Sequence, residues 1–160
     1  MKLESLKQEA QITLVTMALG SQTLAIPASA LREILDPLPV TRVPGAAPFV
    51  RHVVNVRGSV VPLANLKIAL GITEDSVDER SRILVLELPL DGEPALVAIK
   101  ADAVYEVATI ETAGIERLPE TASIWPPDFL IGLYKGPTGF VLLPDLPAIF
   151  SAQTAQVATA

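Results

Sequence analysis

Apolar residues along the chain come in short blocks rich in Val, Ile and Leu, separated by Gly, Pro, Asn and Asp. Blocks of this length between turn residues predict β-strands. The predicted strands are Ile12–Leu19, Thr23–Ile26, Val53–Val56, Val60–Leu63, Arg82–Leu88, Ala95–Ile99, Val107–Ile110, Leu130–Tyr134 and Phe140–Leu143. Fourteen prolines and nine glycines leave little room for long helices. Two short helical segments fit: Ala64–Leu70, ending at Gly71, a residue suited to the left-handed conformation that closes a helix, and Pro144–Phe150. Thr73–Ser81 reads as a charged surface connection, and residues 1–9 and 151–160 as flexible termini. Many short strands with frequent turn signals predict an all-β barrel or sandwich.

The pattern repeats. Ala25, Ile26, Ala28, Ala30 and Glu33 recur 73 positions later (99 minus 26) as Ala98, Ile99, Ala101, Ala103 and Glu106, with Leu31/Val104 and Ile34/Val107 as apolar counterparts. Further on, Val43-Pro44 is echoed by Leu118-Pro119, Phe49-Val50 by Phe129-Leu130, and Val60-Val61-Pro62 by Leu142-Leu143-Pro144. Four matches in one order indicate a duplication with loops of unequal length. Each half holds about five short strands, so two small barrels packed on each other are expected, neither robust alone.

Composition narrows the function. Half the residues are hydrophobic, enough for a sizeable core. No apolar run approaches the roughly 18 residues of a membrane span, and the amino-terminal segment has no apolar stretch of a secretory signal. The chain has no cysteine, which removes disulfides and thiolate chemistry and suits a cytoplasmic setting. Net charge is −6 and the twelve basic residues are scattered, so the basic stripe of a nucleic-acid binder is missing. Proteins are the expected partners.

Catalytic chemistry finds little support. His52 is the only histidine, no Gly-x-Ser-x-Gly elbow accompanies it, and one histidine without cysteine does not make a zinc site. Phosphate-cradling glycine motifs are absent. The aspartates mostly sit beside Pro or Gly, where they serve turns. No cofactor, metal or catalytic residue is expected; the alternative of a small hydrolase would rest on those aspartates alone. The distinctive segment is His52-Val53-Val54-Asn55-Val56-Arg57-Gly58-Ser59-Val60-Val61-Pro62. Gly58 can supply positive φ, Asn55 can bracket the turn, and Arg57 then projects its donors from a rigid hairpin tip, a typical recognition anchor.

This segment resembles the CheW family, adaptors that couple chemoreceptors to the histidine kinase CheA. The family pattern of aliphatic-Pro, Pro-x-Phe-aliphatic, Asn-aliphatic-Arg-Gly and aliphatic-Pro-aliphatic is met by Val43-Pro44, Pro48-Phe49-Val50, Asn55-Val56-Arg57-Gly58 and Val61-Pro62-Leu63. Ile26-Pro27 with Leu31-Arg32-Glu33-Ile34, and Asp102-Ala103-Val104 with Val107, resemble two further family elements. The resemblance implies two SH3-like five-stranded β-barrels over residues 10–150, intertwined, with residues 24–81 forming the first lobe and 12–22 with 82–150 mainly the second. It also implies a non-enzymatic scaffold recruited to receptor arrays, or a structural or competing subunit of a non-chemotaxis array. Receptor contact is then expected at Arg57, Asn55, Val56, Gly58, His52, Asp102 and Val104, and contact with the kinase's regulatory domain at Leu31, Glu33 and Arg42. Three positions depart from the pattern: His52 stands where Gly is usual, Asn65 where Asp is usual, and Ala101 where Val is usual.

Overall fold

The structure, a computed structural model, describes residues 3–73, 79–119 and 126–158. Among these, the strands are β1 (Gln11–Leu19), β2 (Gln22–Pro27), β3 (Leu31–Leu35), β4 (Val40–Arg42), β5 (His52–Val56), β6 (Ser59–Ala64), β7 (Arg82–Leu90), β8 (Glu93–Ala101), β9 (Ala103–Glu111), β10 (Leu130–Lys135) and β11 (Phe140–Pro144). The helices are α1 (Leu3–Leu6), α2 (Leu66–Leu70) and α3 (Leu146–Ala158). All nine strands expected from the pattern are present. Two were not legible as strands: β3 is interrupted by charge, and β4 carries three exposed residues.

The strands form two sheets. One runs β3-β7-β8-β6-β5-β4 and the other β10-β11-β2-β1-β9. They are two SH3-like barrels, here called the first and second, and each contains strands of both sequence halves. In the first half β1 pairs with β2, then the chain crosses over and β3 pairs with β7 of the second half. In the second half β7 pairs with β8, then the chain crosses back and β9 pairs with β1. The hairpins β5–β6 and β10–β11 complete the exchange by adding in parallel to β8 and β2.

The duplicated segment found in the sequence is this crossover. It reproduces even a bulge: the register slips between Leu31 and Glu33 against β7, and between Thr16 and Met17 of β1 opposite Val104 and Glu106. The extra residues are Arg32 and Tyr105, again 73 apart (105 minus 32). The later echo needs a shift. Asn65 N–H donates to the Phe49 carbonyl at 2.8 Å and Asp145 N–H to that of Phe129 at 2.9 Å, which sets the hairpins 80 positions apart (129 minus 49). Pro62 therefore corresponds to Leu142, not to Pro144.

The lobes divide elsewhere than at the charged connection. β2 lies in the second barrel with β1, while β7 and β8 lie in the first. The crossovers at residues 28–30 and at Asp102 decide membership, because a strand belongs where its backbone groups pair. Inside the first barrel Val54, Val61, Ile83 and Ala98 pack together. The largest apolar cluster lies where the two sheets meet. It joins Val15, Leu24 and Ile26 to Leu84, Leu86 and Ile99, and α2 and α3 supply Leu66, Leu70, Leu146, Ile149 and Phe150. Phe49 and Phe150 meet edge to face there, with ring centroids 5.1 Å apart.

The termini differ from expectation. Leu3 and Leu6, one helical turn apart, point the same way and are buried against Leu14, Ile115, Tyr134 and Leu143 of the second barrel. The segment expected to end at Phe150 continues as helix to Ala158, since Leu146, Ile149 and Phe150 form an anchored stripe and the Ala-rich continuation favours helix. Residues 74–78 of the charged connection lie outside the described residues. With α1 part of the core, Leu6→Ala should lower unfolding free energy by about 2–4 kcal/mol. Urea denaturation checks this; a loss under about 0.5 kcal/mol, the size of an ordinary surface change, would detach α1 from the core.

Candidate functional site

The β5–β6 hairpin carries the candidate anchor. Val56 pairs with Ser59, which leaves Arg57-Gly58 as a two-residue turn. Both turn residues have positive φ, 51° and 86°, the combination of a type I′ turn. Gly58 adopts it freely, whereas an arginine there is uncommon. Asn55 supplies the local compensation: its Oδ1 accepts from Gly58 N–H at 2.8 Å. Asn55 thus braces the turn backbone and not the arginine side chain.

The arginine side chain is held by β3. Arg57 Nη1 donates to Glu33 Oε2 at 2.8 Å, and Nη2 meets Oε1, a two-pronged contact. The Arg57 side chain remains 78% exposed, that of Glu33 21%. At this exposure the pair adds at most about 1 kcal/mol to stability. Its effect is to fix the direction in which the guanidinium is presented. Nothing in the sequence signalled the contact, because the partners are 24 positions apart (57 minus 33) and β3 itself was not recognised.

The remaining expected residues fall into three places. His52 begins β5 and lies opposite Arg42 of β4 on one side and Leu63 of β6 on the other. Val56 is half-buried against the inner cluster of the first barrel. Leu31 and Val104 are partly buried against the central cluster, at matching places in the two crossovers. The two expected contact faces are therefore not separate: Glu33 touches Arg57, and Arg42 faces His52.

Asp102 lies inside. The residue is 6% exposed, its Oδ2 accepts from Gly20 N–H at 2.7 Å, and Lys67 Nζ of α2 lies 3.0 Å from the same oxygen. Its own N–H donates to the Ala18 carbonyl. Asp102 clasps the return crossover to the β1–β2 turn and to α2 through an almost wholly buried carboxylate.

Among the described residues no group of three or more His, Cys, Asp or Glu could hold a metal ion. Burial, with the Glu106 carboxylate adding to it, raises the Tyr134 phenol above its ordinary value.

The CheW-like domain profile matches residues 13–154. The chain belongs to the CheW-like domain family. The chemotaxis protein CheW of Rhizobium meliloti is 26% identical over 145 residues, which is 91% of either chain. That of Klebsiella aerogenes is 27% identical over 135 residues, 84% of this chain and 79% of the other. The fold matches the crystal structure of the scaffolding protein TtCheW from Thermoanaerobacter tengcongensis with a TM-score of 0.77 at 23% identity, covering 89% of each chain.

Two of the three departures from the CheW pattern can be placed in the structure. Asn65 keeps the function of a capping aspartate, since its Oδ1 accepts from Lys67 N–H at 3.1 Å at the start of α2. The counterpart of His52 in the second barrel is Gly132, where a Cβ would come 2.7 Å from the Glu116 carbonyl. In the first barrel His52 stands opposite Arg42 of β4 and is half-buried.

Asp102→Ala would leave the partly buried Gly20 N–H without its acceptor and Lys67 without this ion pair. A loss of about 2 kcal/mol in unfolding free energy is expected, read by chemical denaturation; an unchanged midpoint would remove Asp102 from its clasp role. For Tyr134, a folded-state pKa above the unfolded one means that the unfolded chain ionises first as pH rises. Stability is fully present below about pH 10 and is lost above it. Tyr134→Phe should flatten that alkaline decline in a pH series of thermal melts.

Proposed function

We propose that this protein is a non-enzymatic adaptor that couples a chemoreceptor's cytoplasmic tip to a CheA-type histidine kinase. It would work in the cytoplasm at receptor arrays and raise the effective concentration of its two partners for each other. Family membership supports the partner classes, with relatives named as chemotaxis proteins and a structural match named as a scaffold.

The observation that carries the reading is Arg57. A guanidinium at a strained two-residue turn, directed by Glu33 and open to solvent, is arranged for recognition and contributes little to the fold. In this reading Arg57 and Gly58 meet the receptor, with Asn55 and Val56 supporting the turn beneath them and His52 beside it. Val104 borders the same partner, and Leu31, Glu33 and Arg42 serve the kinase. Because Glu33 touches Arg57, receptor engagement and kinase engagement would act on one pair of side chains.

Arg57→Ala should leave the circular dichroism spectrum and melting temperature intact and weaken capture of a receptor cytoplasmic fragment by tenfold or more, as for a binding hot spot (about 2 kcal/mol). Unchanged capture with an intact fold would sink the anchor. In the same reconstituted mixture, added wild-type protein should raise kinase autophosphorylation. Binding without any rise would favour the second reading, a competing or structural subunit.

A further inference from the structure

Two leucines and a glutamate hold α1 in place. Leu3 and Leu6 are 8% and 7% exposed, in one cluster with Ile115, Tyr134, Val141 and Leu143 of the second barrel, and Glu4 is ion-paired with Arg117. The backbone bonds of the segment are its own: the carbonyls of Leu3, Ser5 and Leu6 accept from the N–H groups of Lys7, Gln8 and Glu9. The backbone tie to the barrel begins at Glu9 and Ala10. Buried Thr112 donates its hydroxyl to the Glu9 carbonyl at 2.6 Å and its N–H to that of Ala10 at 3.0 Å, and Gln11 then pairs with Glu111. A single helical turn, too short to persist alone in water, is thus joined to a fixed point through Lys7 and Gln8.

The duplication shows what a barrel of this build does without such a cover. The bridge between Glu116 and Leu133 repeats the pairing of Thr41 with Val53, so Ile115 of the second barrel corresponds to Val40 of the first. Ile115 is 0% exposed and Val40 46%. With Val40 left in solvent, the first barrel still packs Val54, Val61, Ile83 and Ala98 into a buried inner cluster. Closure of the strands does not require a helix over this place.

We propose that α1 is a lid. It lifts from the second barrel about Glu9–Ala10 while both barrels stay folded, and so switches the apolar floor at Ile115 and Tyr134 between covered and exposed. The lid is closed in the ground state, because the two leucines are buried there. Opening gives up those contacts but returns conformational freedom to the segment, so it takes less free energy than unfolding either sheet. The Glu4–Arg117 pair is a latch on the outside, 67% exposed on each partner, and its hold weakens as salt rises. The inference goes beyond the adaptor reading and does not rest on it.

The chain has no cysteine, so a single introduced thiol reports on a single place. In the full-length protein Ile115→Cys puts it under the lid, and Ala25→Cys puts it on β2, the middle strand of the same sheet and 1% exposed. Under native conditions a colorimetric disulfide reagent should label position 115 about tenfold or more faster than position 25. Adding Glu4→Lys should raise the rate at 115 by about two- to fivefold, the range of one exposed ion pair, and leave that at 25 unchanged. Equal rates at the two positions, both rising with urea in step with global unfolding, would overturn the lid. So would a rate at 115 indifferent to Glu4→Lys, since the reagent would then arrive by another route. A second variant, Leu3→Asp with Leu6→Asp, should hold the lid open with the β-sheet circular dichroism signal and a cooperative melt retained. Loss of that signal would show that the barrel needs its cover and overturn the proposal. Neither receptor nor kinase is present, so failure here would leave the Arg57 anchor standing.

Discussion

The structure depends on one exchange: β3 pairs with β7 and β9 pairs with β1, so neither barrel is closed by the half of the chain that starts it. The apolar surface that would separate two independent lobes becomes the largest core. Leu84 and Leu86 of one sheet pack with Val15, Leu24 and Ile26 of the other, sealed by Phe49 and Phe150. Each barrel alone would be too small to stabilise itself well. Joined by the two chain crossovers and by this shared core, the lobes are held against relative motion by packing.

That rigidity is what makes a single exposed arginine useful. Arg57 sits on a turn whose geometry costs conformational energy, and Asn55 and Glu33 compensate from two directions. β5 and β3 are held in the same sheet through β6, β8 and β7. The guanidinium is therefore positioned by the whole barrel. Asp102 plays the corresponding part inside, tying the return crossover to the β1–β2 turn and α2 through a carboxylate that accepts from both.

Much of this was legible in the residues. Strands with continuous Val, Ile and Leu declared themselves, because burial of both faces leaves no polar interruptions. The repeat at Ala25–Ile34 and Ala98–Val107 was visible because both copies make the same crossover and keep the same small buried residues. What stayed hidden depends on pairing across distance. Which barrel holds β2 or β7 follows from partners that sequence order does not show, and the Glu33–Arg57 contact requires the six-stranded sheet to exist first. Asp102 looked like a surface group because a buried carboxylate and an exposed one carry the same letter. Leu3 and Leu6 looked like part of a charged end until a surface was present to receive them.

The pairing of Ile12 with Ile110 also bears on how the protein is made. During synthesis the first strand emerges long before its outer neighbour, and β3 likewise waits for β7. A ribosome that has produced the first half holds a chain with apolar strand edges and no means of closing either sheet. Closure of either barrel waits for strands of the second half of the chain, and the many distant pairings make folding slow relative to helical proteins of this size. For a protein whose work is to join others, the interval before closure is when its edges are open to unintended partners.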